Sequence, residues 1–232
     1  QKVLDAMREC RVSDIHFNIT SGYAYDDVGR NKLEELYAKV FGAEKALVRT
    51  QFVSGTHALA TVLFGLLRPG DKLVSLAGAP YDTMQTVIGY TIPSPGSLKE
   101  YGILYDELPL KNGRVDIEKI SETLDETTKM VLIQRSRGYS KRPTLLIEDI
   151  RELCSELHRL KPDCICFIDN CYGEFVETFE PTQAGADIMA GSLIKNPGGG
   201  LAPTGGYVIG REDLVDLASY RLTAPGMGAE LG

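Results

Sequence analysis

Residues 130-MVLIQRSRGYSKRPTLLIEDIRELCSELHRLKPDCICFIDN-170 decide the fold class. MVLIQR (130–135) is a continuous apolar run rich in β-branched residues, which predicts a strand buried on both faces. IEDIRELCSELHRL (147–160) repeats its apolar positions at helical spacing, and its charges fall on a solvated face with i,i+4 pairing. ICFIDN (165–170) is a second buried strand. Strand, helix and strand of these lengths form a βα unit in a mostly parallel sheet covered on both faces.

The same alternation extends in both directions. Upstream, ALVRT (46–50) reads as a strand, THALATVLFGLL (56–67) as a helix stopped by Pro69 and Gly70, and KLVSLA (72–77) as a strand. A helix opens near Tyr81 and ends about Gly89, ILYDELPL (103–110) is a further strand candidate, and DIEKISETLD (116–125) reads as a helix. Downstream, ADIMAGSL (186–193) and YVIG (207–210) are strand candidates, followed by a helix from about Glu212. Residues 45–232 therefore form an α/β domain with a mostly parallel sheet. Residues 1–44, with the polar loop 20-TSGYAYDDVGR-30 and the helix NKLEELYAKVFG, read as an N-terminal helix and arm. The chain starts within a helical pattern and stops at 223-TAPGMGAELG, so it reads as a fragment of a longer polypeptide.

Composition narrows the partners. Hydrophobic residues make up 43% and charged residues 25% of the 232 positions, ordinary values for a globular chain. A formal net charge of -7 argues against nucleic acid or an anionic membrane as the main partner. No apolar run reaches the roughly 18 residues of a membrane span, and no signal-peptide pattern opens the chain. Five cysteines without metal-ligand spacing suit a reducing interior, so the expected location is the cytoplasm, with no metal site.

In open α/β sheets ligands collect beyond the carboxyl ends of the strands, and three features fall there. Ser54, Gly55 and Thr56 lie between a strand and a helix, where backbone N–H groups and hydroxyls can seat a phosphate; an ordinary helix cap is the competing reading. Asp169 ends the strand ICFID, so its carboxylate emerges at the sheet edge, to hold a ring nitrogen protonated or to cap a turn. Lys195, alone in the run 189-MAGSLIKNPGGGLAPTGGYVIG-210, is either a solvated edge residue or an amine whose pKa falls by desolvation, ready to form a Schiff base with a carbonyl. Phosphate seat, acid and amine, in this order, match the three handles of pyridoxal 5'-phosphate. Tyr81, after KLVSLA, suits stacking on its ring, and Ser192 offers the phosphate another hydroxyl. The absence of GxxxxGK[ST] and of GxGxxG after the first strand weakens nucleotide readings, a dinucleotide-binding dehydrogenase among them.

The motifs 22-GYAYDDVGR-30, 53-VSGTHALA-60, 69-PGD-71, 78-GAPYDT-83, 132-LIQRSRGY-139, 167-FIDNCYGEF-175 and 192-SLIKNPGGGLAPTGGY-207 carry a resemblance. The sequence resembles fold-type I pyridoxal-phosphate enzymes, and among them the methionine gamma-lyase-like group of aluminium resistance proteins. The resemblance implies a three-layer α/β/α sandwich, the large coenzyme-binding domain of the aspartate aminotransferase fold, assembled as a homodimer or homotetramer with sites at the subunit interface. A small C-terminal domain, carrying the arginine for the substrate carboxylate, would follow beyond Gly232.

By that resemblance Lys195 looks like the Schiff-base lysine and Asp169 the pyridine-nitrogen partner. Ser54, Gly55, Thr56 and Ser192 look like phosphate ligands, and Tyr81 a stacking residue that also moves protons. Tyr25 and Arg30 are candidates for reaching the phosphate of a neighbouring subunit, at a wider separation than the usual Y-x-R. Arg135 and Arg137 are candidates to face substrate or the coenzyme's ring oxygen. The implied activity is a carbon–sulfur lyase acting on a sulfur-containing amino acid, of methionine gamma-lyase or cystathionine lyase type. An aminotransferase and a non-catalytic binding protein of the same fold are the alternatives. His57 reads as packed or capping, His16 and His158 as surface or interface residues, and Cys164, Cys166 and Cys171 as small buried hydrophobes.

Overall fold

The computed structural model describes residues 1–18 and 25–232. Seven strands form one sheet: β1 (Lys45–Arg49), β2 (Lys72–Ser75), β3 (Leu104–Glu107), β4 (Thr128–Gln134), β5 (Ile165–Asp169), β6 (Ile188–Ser192) and β7 (Gly206–Gly210). Their order is β1-β7-β6-β5-β4-β2-β3. Neighbouring strands are parallel except around β7, which runs against both β1 and β6.

Side-chain alternation along each strand builds two cores. Val131, Ile133, Cys166, Ile168, Met189, Tyr207 and Ile209 face one side, with α1 (Lys2–Glu9), α2 (Val28–Phe41) and α6 (Ile147–Leu160). Met130, Leu132, Ile165, Phe167, Ile188, Ala190 and Val208 face the other, with α3 (Gly55–Leu66), α4 (Asp82–Ile88) and α7 (Glu212–Leu222). The result is the three-layer α/β/α sandwich, and each fully buried Leu, Ile or Phe contributes about 1.5–3 kcal/mol by leaving water. Ala6, Leu36, Val40 and Phe41, from residues 1–44, belong to the first core.

Helix α6 follows its sequence pattern. Ile147, Ile150, Leu153, Cys154 and Leu157 are buried on one stripe, and the helix stops before Pro162. Its ion pairs differ from expectation: Arg151 meets Glu148 and Arg159 meets Glu156, both at i,i+3 spacing on the exposed face. The helix expected over 116–125 is also shorter, a 3-10 turn (Ile117–Lys119) and one α turn, α5 (Ile120–Thr123). Lys72 Nζ donates to the Thr123 carbonyl at 2.8 Å, and Leu124 turns extended, so no further helical bond forms.

Candidate functional site

A cavity of about 570 Å³ opens at the carboxyl edge of the sheet. Ser54, Gly55, Thr56, Tyr81, Asp169, Ser192 and Lys195 all line it, although they come from four separate connections. Parallel pairing explains the convergence: Gln134, Asp169 and Ala190 are in register across β4, β5 and β6, so their following loops leave the sheet at one level.

The phosphate-type seat is built at the start of α3. Ser54 is the N-cap, and its Oγ accepts the His57 N–H at 3.1 Å, so the capping reading holds for this side chain. A Cβ at Gly55 would stand 3.0 Å from Ser192 Cβ and 3.2 Å from Cys171 Sγ; glycine lets helix, β6 and the loop after β5 close on one another. Ser192 is fully buried and its Oγ accepts the Ile194 N–H at 3.3 Å. Helix N-terminal N–H groups and hydroxyls therefore share one wall of the cavity.

Asp169 is buried, and its Oδ1 accepts the Cys171 N–H at 3.1 Å. Burial raises its carboxyl pKa, against the lowering effects of the Cys171 bonds and the Lys195 charge. A carboxylate so desolvated gains most from a cation placed in the cavity before it.

Tyr81 is the N-cap residue of α4, and its hydroxyl lies 2.9 Å from Thr56 Oγ1. Burial pushes its phenol pKa well up, so the hydroxyl keeps its proton. The Tyr81 N–H donates to Gln134 Oε1 at 2.9 Å, and Gln134 Nε2 donates to the Ser136 carbonyl at 3.0 Å. Gln134 thus fixes one side of the cavity, a residue the sequence reading passed over. Its signal was a polar side chain closing the apolar run MVLIQ.

Lys195 departs from expectation. Burial lowers its pKa, but Tyr172, Cys171 and Asp169 outweigh burial and leave the amine raised, hence protonated at neutral pH. Its Nζ stands 3.8 Å from the centre of the Tyr172 ring. Asn196, next in sequence, donates to the carbonyls of Tyr172 at 3.2 Å and Glu174 at 2.9 Å. Tyr172, Cys171 and Asn196 are the further site residues; Tyr172 stands three positions after Asp169, the one cue available in sequence.

Arg135 is not at the cavity. It is buried, donating to Leu145 O, Asn170 Oδ1 and Gly173 O and pairing with Glu177 at 2.7 Å, because a guanidinium this deep needs every donor satisfied. Arg137 is exposed and lines the mouth with Tyr139. Tyr25 is 52% exposed, and Tyr25 and Arg30 lie outside this cavity; the Arg30 guanidinium donates to Asn31 Oδ1 and the Gly232 carbonyl. Part of the 22–30 motif falls outside the described residues. His57 accepts the Val53 N–H and meets the edge of Phe52. His16 caps Ser13, and His158, half-buried, lies 3.0 Å from Asp187. All five cysteines are free and buried. Among the described residues no helix is long and apolar enough to cross a membrane.

Fold and cavity together define a class: an α/β/α domain that takes its ligand at the carboxyl edge of a mostly parallel sheet, against a helix N-terminus, a buried acid and an amine. The chain belongs to the methionine gamma-lyase family, whose model matches residues 1–232. It is 49% identical to protein YnbB of Bacillus subtilis (strain 168), over all of this chain and 55% of that protein. A crystal structure of a carbon-sulfur lyase involved in aluminum resistance, from Clostridium novyi NT, is 53% identical with a TM-score of 0.95, covering 100% of this chain and 56% of that one. The pyridoxal-5'-phosphate dependent protein YhfS from Escherichia coli shares the fold, with a TM-score of 0.70 at 18% identity over 96% of this chain and 55% of that chain. The chain thus spans a little over half the length of these relatives.

Proposed function

We propose that this chain is the coenzyme-binding part of a pyridoxal 5'-phosphate-dependent carbon–sulfur lyase acting on a sulfur-containing amino acid. The observation that carries the reading is the convergence of Lys195, Asp169, Tyr81 and the Ser54–Thr56 and Ser192 hydroxyls on one cavity. The residues fit the coenzyme: the α3 N-terminus and the Ser54, Thr56 and Ser192 hydroxyls line the cavity where a phosphate could sit, and Asp169 is a buried carboxylate whose desolvation the Lys195 charge offsets only in part, so a ring cation before it would be stabilised. Membership of the methionine gamma-lyase family and the carbon-sulfur lyase at 53% identity favour elimination of a thiol, of gamma-lyase or cystathionine lyase type.

When bound, the coenzyme supplies an electron sink for a carbanion at the substrate α-carbon. Lys195 would hold the coenzyme's aldehyde, and its Nζ would take the substrate α-proton. Asp169 would keep the ring nitrogen protonated by opposing its charge. Ser54, Gly55, Thr56 and Ser192 would hold the phosphate, and Tyr81 would flank the ring, with its hydroxyl, bonded to Thr56, available to pass a proton. Arg137 at the mouth faces the incoming substrate. In the assembly we propose a homodimer or homotetramer, with Tyr25 and Arg30 reaching the phosphate of a neighbouring subunit, and a cytoplasmic setting.

The test is an absorption spectrum of the full-length protein. A yellow band lost on borohydride reduction, with a pyridoxyl label on the Lys195 peptide, is the expected result, and Lys195→Ala abolishes both. A label on another lysine, or none, overturns the coenzyme assignment. Release of a keto acid, ammonia and a thiol supports the lyase; amino transfer to a second keto acid overturns it.

A further inference from the structure

The cavity holds one relationship that neither the family pattern nor the proposed chemistry uses. Lys195 Nζ lies 3.8 Å from the Tyr172 ring centre, and among the described residues no carboxylate pairs with it. A protonated amine drawn from bulk water requires an anionic, dipolar or aromatic partner, and a ring face is one. We propose that Tyr172 is a positioning residue: its ring face seats the Lys195 ammonium whenever that amine is not attached to a ligand, and holds it beside Asp169.

The backbone of Tyr172 is arranged for this. Its φ of 69° is left-handed, a conformation a bulky side chain adopts only when its surroundings impose it. Three restraints do so. Asn196 ties the Tyr172 and Glu174 carbonyls to the residue following Lys195. The Gly173 N–H donates to the Asn170 carbonyl at 2.9 Å. Arg135 clamps the Gly173 carbonyl from below at 2.7 Å. Lysine and ring are therefore tied through one hydrogen-bonded frame, although they follow different strands. Tyr172 remains 59% exposed, so it is not held there by burial of its own surface.

The seat gives the amine a resting place within reach of the cavity and away from the ligand. It rests on the proposed role of Lys195, but its test does not require turnover. The full-length protein, stripped of coenzyme with hydroxylamine, is labelled with trace acetic anhydride across pH, and the Lys195 peptide is quantified by mass spectrometry to give the amine's pKa. Tyr172→Asn and Tyr172→Gly both accept a left-handed backbone and remove the ring, so folding is preserved. Each should lower the Lys195 pKa by about one pH unit, while Tyr172→Phe keeps the wild-type value. An unchanged pKa in the Asn and Gly variants overturns the seat. So does a Phe variant that behaves like Asn, since the hydroxyl and not the ring face would then hold the amine. If the pKa shifts as expected but borohydride fixes no coenzyme to Lys195, the proposed function fails and the seat stands.

Discussion

Thr56 Oγ1 and the Tyr81 hydroxyl lie 2.9 Å apart, joining the helix N-terminus of α3 to the loop after β2 across the cavity. The bond aims a phenol that would otherwise swing about its χ angles. Thr56→Val and Tyr81→Phe each remove it while keeping shape. Each should weaken coenzyme retention by several-fold, and the double variant should be no worse than the poorer single one, with a coupling of about 1 kcal/mol. Titration of the stripped protein with coenzyme measures this; strictly additive losses would show the bond to be idle.

Asp169 trades stability for binding. Its folded pKa is raised by burial, so the folded protein holds the carboxylate's proton more tightly than the unfolded chain does. Stability from this group is therefore present at low pH and lost as pH rises above the ordinary carboxylate range. Asp169→Asn keeps an acceptor for the Cys171 N–H and removes the charge. The coenzyme-free variant should melt at the wild-type temperature or higher at pH 7, while coenzyme affinity falls at least about tenfold. Calorimetry with and without coenzyme separates the two effects.

Glu174 should leave its mark on the pH dependence of folding. Its Oε1 accepts the Tyr207 hydroxyl at 2.6 Å, its Oε2 is buried without a partner among the described residues, and burial lifts its pKa from 4.5 to about 7. The unfolded chain ionises first, so stability declines between about pH 4.5 and 7 and then levels, by on the order of 3 kcal/mol. Glu174→Gln should flatten that decline. Denaturant midpoints at pH 5 and 7.5 for both proteins test it; parallel slopes would rule Glu174 out.

Gly191 marks a packing limit under the site. A Cβ there would fall 2.3 Å from the Tyr207 hydroxyl oxygen and 2.8 Å from Glu174 Oε1, both buried. Gly191→Ala must displace that pair, at a cost of about 2–4 kcal/mol. The melting temperature should fall by several degrees, and Tyr207→Phe in the same background should not recover it, because the ring Cζ would still stand 2.5 Å from that Cβ.

Sequence alone determined the alternation of strand and helix, the exact span of α6, and the placing of Ser54, Asp169 and Lys195 at strand ends, because these follow from local hydrophobic period and capping chemistry. The meeting of those residues in one cavity was expected from a parallel sheet. The strand order, with β7 antiparallel between β1 and β6, was not, since pairing between distant segments leaves no local pattern. Tertiary structure also decided which charges matter. Arg135 and Arg137 are two residues apart, yet one is clamped in the interior and the other lines the cavity, a difference set by Asn170, Gly173 and Glu177 from another loop. The protonation of Lys195 was decided the same way: desolvation can be guessed from apolar neighbours in the chain, whereas the opposing pull of Tyr172 and Asp169 depends on through-space distance.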